Sequence, residues 1–289
     1  MSNKVMDSQE NSDLLRLPVN SEEHSFNSWQ VKYKRSHILH SKCSNEALCR
    51  DEASESCLYC LYNRILQLPH VPDMVFPNNS LELKHISGCT IEFNALDALK
   101  HVSNGKLPLK IACADAWKES RMESGHMDEV KPFDWTFTTD YSGTITGNFA
   151  ITPTDTRIDL DKLRRRDKIL FYHDLSLFED ELHDNGTAVC SVKIRVMPNS
   201  FFILLRYFLR IDGVMLRMND TRYYHEFDTD FILREYTSKE AKAQDLNVPP
   251  SRLVDPNEVA QILPLITSCY EKLTLPSTKV ETEDATAVL

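Results

Sequence analysis

From Val189 to Tyr236 apolar and polar positions succeed one another with almost no filler (VCSVKIRVMPNSFFILLRYFLRIDGVMLRMNDTRYYHEFDTDFILREY). Val192, Ile194 and Val196 alternate with Lys193 and Arg195, the period-two pattern of a half-buried strand. Pro198 and Asn199 stop that strand, and Ser200 is placed to cap a helix whose first residues, Phe201 to Leu205, are apolar on every side. Such a helix has to be buried over most of its surface. Gly213 ends it as a C′ glycine, and Val214 to Met218 resumes an extended pattern. Asn219, Asp220, Thr221 and Arg222 then read as a polar turn directly off the core. The apolar run is shorter than the roughly 20 residues of a membrane span, and Arg206 and Arg210 interrupt it.

The flanks add strands and short helices. Residues 1 to about 25 are polar and aperiodic and predict a disordered arm. Phe26 to Leu39 alternates as a strand with Trp29, Val31 and Tyr33 on one side. Leu58 to Leu68 is amphipathic, and Pro69, Pro72 and Pro77 mark an extended connector. Leu81 to Ile86 and Thr90 to Phe93 predict strands around Gly88. Asn94 caps a helix from Ala95 to His101, with Asp97 at N3 able to return a bond to the cap backbone. Leu107 to Ala112 predicts a strand and Asp115 to Glu123 a short helix or turn. Phe133 to Gly147 predicts a hairpin around Ser142-Gly143. Asp159 to Lys168 is a short helix with an acidic start and a basic end. Asn185-Gly186 favours a two-residue turn that sets Leu177 opposite Ile194 and Leu175 opposite Val196. Ser238 to Gln244 predicts a surface helix. Asp255-Pro256 with Glu258 opens a helix to Leu263. Beyond about Leu275 an acidic tail is expected to be disordered. Together these predict one α+β domain over residues 26–275, with mainly antiparallel sheets, a buried central helix and peripheral helices.

Composition narrows the function. A chain of 289 residues with a formal net charge of −10 offers no basic field to displace phosphate counterions, which argues against nucleic acid. Its seven glycines form neither GxGxxG nor GxxxxGK[ST], so the familiar nucleotide cradles are missing. The amino terminus lacks an apolar segment of signal-peptide length, so an intracellular protein is expected. In that compartment cysteines stay reduced, and Cys89, Cys113, Cys190 and Cys269 read as small buried hydrophobes.

Two constellations could carry chemistry. Cys43, Cys49, Cys57 and Cys60 cluster in sequence, but their spacing lacks the paired short knuckles of structural zinc sites, so they read as incidental cysteines in a mobile insertion. The acidic run Glu179 to Asp184 with His183 suggests a metal-dependent hydrolase. Alternation along a strand sends neighbouring carboxylates to opposite faces, which favours a solvated or partner-facing edge. No nucleophile sits in a recognisable elbow, and no cofactor or metal is expected. Asp220 and Arg222 read equally as turn formers or as a recognition surface.

IEFNALDAL (91–99), KPFDWTFTTDYSGT (131–144), LFEDELHDNG (177–186), the long segment SVKIRV to YYHE (191–226), LREYTS (233–238) and DPNEV (255–259) carry a resemblance to the TIPRL family, the TOR signalling pathway regulator-like proteins. The resemblance spans roughly Trp29 to Leu275. It implies a non-enzymatic regulator, linked to TOR signalling, that binds the catalytic subunits of type 2A, type 4 and type 6 protein phosphatases and lowers or remodels their activity. It also implies a cytoplasmic location with the nucleus as a second compartment, and a monomer when free. By matching motif it assigns partner contacts to Asp97 in FNALDAL, Ile158 in TRID, and Met218, Asp220 and Arg222 in RMNDTR.

Overall fold

The structure, a computed structural model, describes residues 20–43, 49, 57–68, 70–103, 136–182 and 184–276. The expected strand 107–112 and helix 115–123, His183, residues 1–19 of the amino-terminal arm and the tail from 277 onward lie outside the described residues. The strands are β1 (Asn20–Phe26), β2 (Trp29–Arg35), β3 (Met74–Val75), β4 (Ser80–His85), β5 (Thr90–Asn94), β6 (Thr144–Thr146), β7 (Ala150–Pro153), β8 (Phe171–Asp180), β9 (Gly186–Met197), β10 (Ser200–Ile211), β11 (Met215–Glu226), β12 (Phe231–Lys242) and β13 (Leu265–Thr274). They form a five-stranded sheet ordered β1-β2-β4-β5-β6 and an eight-stranded sheet ordered β3-β8-β9-β10-β11-β12-β13-β7. Short helices α1 (Leu58–Leu66), α2 (Ala95–Lys100), α3 (Leu160–Arg164) and α4 (Pro256–Ile262) lie around them. No helix among the described residues is long and apolar enough to cross a membrane. The class is α+β with antiparallel sheets, as the sequence predicts.

The expected buried central helix is instead strand β10. Pro198-Asn199 is a two-residue hairpin loop between Met197 and Ser200, and Asp212 to Val214 is a three-residue loop in which Gly213 takes φ +71°. Phe201, Ile203, Leu205, Tyr207 and Leu209 face the main core, while Phe202 and Phe208 on the other face join two smaller clusters. A strand covered on both faces shows no alternation, so period alone could not separate it from a buried helix.

Other elements shift for related reasons. Asn219 to Arg222 lie within β11 rather than in a turn, and β12 continues through Ser238 to Lys242, where a surface helix was expected. The arm expected to be disordered contains β1 from Asn20, paired along its length with β2. Among the described residues around Ser142-Gly143 only Thr144–Thr146 is a strand, and Thr136 to Thr139 and Tyr141 are buried outside any ladder. At the Asn185-Gly186 turn, Leu175 pairs with Val192 rather than Val196, a bulge falls between Ser176 and Phe178, and the loop takes in Glu181 to Asn185. The slip of four positions is even, so Leu175, Val192, Ile194 and Val196 still all face inward and are buried. Cys89 and Cys190 are buried as expected, but Cys269 is exposed on β13, next to the edge strand β7.

The sheets close on one core. Trp29, Val31, Leu83, Ile91 and Phe93 of the smaller sheet meet Val192, Ile194, Phe201, Ile203 and Tyr223 of the larger. Trp29 stands edge-on to Phe201 with centroids 5.4 Å apart, and Phe93 edge-on to Tyr223 at 5.7 Å. Such pairs are worth about 0.5–1.5 kcal/mol beyond area burial. His225 lies in the same layer, buried beside Trp29 and Phe201, and its Nδ1 donates to the Phe231 carbonyl at 2.8 Å.

Burial holds the pKa of His225 below the ordinary imidazole range, and His85, which also packs near Trp29, shifts the same way for the same reason. Below a pH of about 6.5 the unfolded chain takes up protons that the folded chain refuses, so stability is full above that value and falls as the pH drops through it. Thermal melts should therefore fall on acidification from about pH 7 to about pH 5.5, and the slope should be shallower in His225→Gln. Parallel slopes in the two proteins would remove His225 from this account.

Candidate functional site

The larger sheet has an inner face against the main core and an outer face that is covered only in patches. At one end Phe208, Leu216 and Met218 pack under Leu253, Val259 and Leu263 of the α4 region. Asp255 caps α4 by accepting from the Asn257 N–H at 2.8 Å, with Pro256 at the first helical position, as the sequence predicts. At the other end Tyr224 and Leu233 pack under Ile158, which leads into α3, where Asp159 caps the helix. Between these covers runs a mostly polar strip, with Arg206 beside Leu204 on β10, Asp220 and Arg222 on β11, and Glu235 and Thr237 on β12.

The strip is organised by one carboxylate. Asp220 accepts from Arg206 Nε at 2.7 Å and Nη2 at 2.8 Å, a two-pronged pair, and from Arg222 Nη2 at 3.4 Å. The Asp220 and Arg206 side chains are 4% and 12% exposed, whereas Arg222 is 27% exposed. The remaining arm of Arg206 donates to Asn257 Oδ1 at 3.1 Å, which ties the pair to α4. Glu235, opposite Arg222 in register, accepts from the Ile158 N–H at 2.8 Å and so pins the other cover. The charged strip and its two apolar walls are thus one bonded unit.

The five residues singled out in the sequence divide accordingly. Ile158, Met218, Asp220 and Arg222 share the outer face, but Ile158 and Met218 are buried in the walls and Asp220 in the floor. Only Arg222 has substantial access. The expected turn fails for both Asp220 and Arg222, which lie within β11, and cross-strand pairing buries Asp220 under Arg206 while Arg222 keeps partial access. Asp97 belongs to another element, α2, and bonds to Asn94, Lys100 and Thr144 rather than to the other four. It reaches the side chain of the cap residue, Asn94, rather than the cap backbone. Burial pushes its pKa up, but hydrogen bonds from Lys100, Thr144 and Asn94 outweigh this and leave it below the usual carboxylate value. Arg206 was missed, although Arg206 and Asp220 are equidistant from Gly213, the spacing that makes opposite charges face each other across a hairpin.

Among the described residues the acidic run supplies no converging set of ligands. Asp180 spends its oxygens on the backbone N–H groups of Leu182 (2.8 Å) and Asp73 (3.1 Å), and burial raises its pKa. Among the described residues the metal-ligating groups that converge are instead Cys43, Cys49, Cys57 and Cys60. The four cysteines whose spacing suggested an incidental insertion therefore lie together in space.

The sequence profile of the TIP41-like family matches residues 74–247. The chain belongs to the TIP41-like family. It is 48% identical over 256 residues to the human TIP41-like protein, covering 87% of this chain and 89% of that one. It is 42% identical over 244 residues to the Caenorhabditis elegans TIP41-like protein (83% and 85%). It is also 35% identical over 270 residues to the Saccharomyces cerevisiae type 2A phosphatase activator TIP41 (84% and 72%). The family profile takes in the whole strip from Ile158 to Glu235, and ends before α4.

Losing one partner of a buried ion pair strands the other charge at a cost of about 3–5 kcal/mol, whereas loss of a half-exposed charge costs under about 1 kcal/mol. Urea unfolding should therefore show Asp220→Leu strongly destabilised and Arg222→Ala close to the parent. Equal effects would mean that the Arg206–Asp220 pair does not hold the strip.

Proposed function

We propose that this chain is a non-enzymatic regulator that binds the catalytic subunits of type 2A protein phosphatases, and of the related type 4 and type 6 enzymes, through the outer face of its larger sheet. The observation that carries the reading is the strip itself: a semi-exposed arginine over a fixed ion pair, between two apolar walls, with the strip and the Ile158 wall on the part of the chain that the family profile covers. The name of the yeast relative, a type 2A phosphatase activator, supplies the class of partner. A non-catalytic role is supported by the carboxylates of the acidic run, where Asp180 serves as a backbone cap. In this reading the free chain is a cytoplasmic and nuclear monomer, acts within TOR signalling, and holds the bound phosphatase in a less active form. Asp97 would form a second contact from α2, while Met218 and Ile158 set the height of the walls.

Arg222→Ala is the informative variant, because it removes the accessible charge and leaves the floor intact. A charge that becomes desolvated in an interface contributes about 2–5 kcal/mol when its partner is lost, so the dissociation constant for a purified type 2A catalytic subunit should rise at least roughly tenfold. Lys32→Ala, on the far sheet, should leave it unchanged. Calorimetry on both variants, beside their thermal melts and a phosphatase assay that reads the sign of the effect, makes the test. Affinity unchanged in Arg222→Ala, or a parent chain that does not bind the catalytic subunit, would overturn the proposal.

A further inference from the structure

The connection between β2 and β3 runs from residue 36 to residue 73 and precedes the span of the family profile. Its sequence around the cysteines, SKCSNEALCRDEASESCLYC, is too polar to gather side chains by hydrophobic burial. Even so, the Sγ atoms of Cys43, Cys49, Cys57 and Cys60 all lie within 4.8 Å of one another. None of the four is in a disulfide, and each is half-buried, unlike Cys89 and Cys190, which are packed into the core. Thiols are weak hydrogen-bond partners and do not account for this convergence by attracting one another.

The dimensions suit a metal. Zinc holds thiolates at about 2.3 Å in a tetrahedron, which sets the sulfurs about 3.8 Å apart along each edge. Cys43 and Cys57 stand 3.8 Å apart, and no pair of the four sulfurs is more than 4.8 Å apart. The backbone is prepared as well. Cys57 is the N-cap of α1 with extended φ and ψ, and Cys60 lies in the first helical turn. That helix end has no side-chain cap and no acidic residue in its first turn, so its N–H groups and dipole are left to favour negative sulfur. The Cys57 N–H already points at Cys49 Sγ, 3.4 Å away, as outer hydrogen bonds to metal-bound thiolates do.

We propose that Cys43, Cys49, Cys57 and Cys60 form a closed, structural zinc site that fastens the β2–β3 connection to α1. Four soft ligands select zinc over magnesium or calcium, and a full set of four leaves no position for a substrate. Binding exchanges four thiol protons for one divalent ion and gives a four-thiolate centre with two net negative charges. The held segment reaches the main core through α1, whose Tyr62 and Leu66 are buried and whose Tyr62 hydroxyl donates to the Pro77 carbonyl at 3.3 Å. The site does not depend on the phosphatase reading.

The test uses the full chain, produced with zinc in the medium, purified without chelator and exchanged into metal-free buffer. Elemental analysis should find about one zinc per chain, and a mercurial reagent that titrates the thiols should release it. Cys57→Ser/Cys60→Ser should lose the metal, whereas Cys269→Ser should keep it. Cobalt loaded in place of zinc should show sulfur-to-metal charge transfer and the visible bands of a tetrahedral ion. Stripping the metal should open residues 36–68 to protease while the circular dichroism of the sheets persists. A natively folded parent chain with zinc below about 0.1 per chain would sink the site, as would full zinc in the double variant, iron in place of zinc, or these cysteines recovered as disulfides.

Discussion

A twelve-residue strand with apolar side chains on both faces needs two covers, and β10 is such a strand. The first cover is complete. The five-stranded sheet lays Trp29, Val31, Leu83, Ile91 and Phe93 across the inner face, and the strands on either side of β10 share that cover. The second is not. α3 and the residues before it roof one end of the outer face, α4 and its neighbours roof the other, and the middle carries, beside Leu204, polar side chains. Exposed apolar surface there would be a liability, so the uncovered stretch carries charge instead.

Putting charge where the side chains of Asp220 and Arg206 are almost hidden has its own cost, because an ion removed from water must find compensation. Asp220 finds it in both prongs of Arg206 and in Arg222, and Arg206 completes its valence on Asn257 of α4. Glu235 does the same work at the other end through the Ile158 N–H. The polar floor therefore also positions the two roofs, and their spacing across the strip is set by hydrogen bonds rather than by loop length. A surface fixed in this way is pre-organised, and a partner that docks on it loses little freedom in ordering it.

Most of the inward pattern was legible in the sequence because alternation records burial on one face. Trp29, Val31 and Tyr33, and Val192, Ile194 and Val196, fell where the alternation put them, and the caps Asn94 and Asp255 were readable from local chemistry alone. What failed was the two-sided strand, since an apolar run on both faces has no period. That one error hid the site. Once Phe201 to Leu205 is taken for helix, Gly213 becomes a cap instead of a hairpin loop, Asp220 becomes a turn residue, and Arg206 has no partner. Glu235, and the approach of Ile158 to it, depend on contacts between residues 77 positions apart, for which a single sequence holds no local signal.

The cysteines fail for the opposite reason. Their spacing is irregular because the third and fourth sit at a helix start while the first and second come from a connection, so the ligand set is brought together by the path of the chain and not by two matched knuckles. Between Cys43 and Cys57 the sequence is mostly polar, and four sulfurs within 4.8 Å of one another offer ordering energy that apolar burial of those residues would not. Because the segment leaves the scaffold after β2 and rejoins it at β3, the edge strand of the larger sheet, it can carry such a fastening without altering the register of any central strand. The strip on the outer face and the sulfur cluster thus answer the same shortage of apolar cover, one with paired charges on a rigid sheet and the other with a metal on a loop.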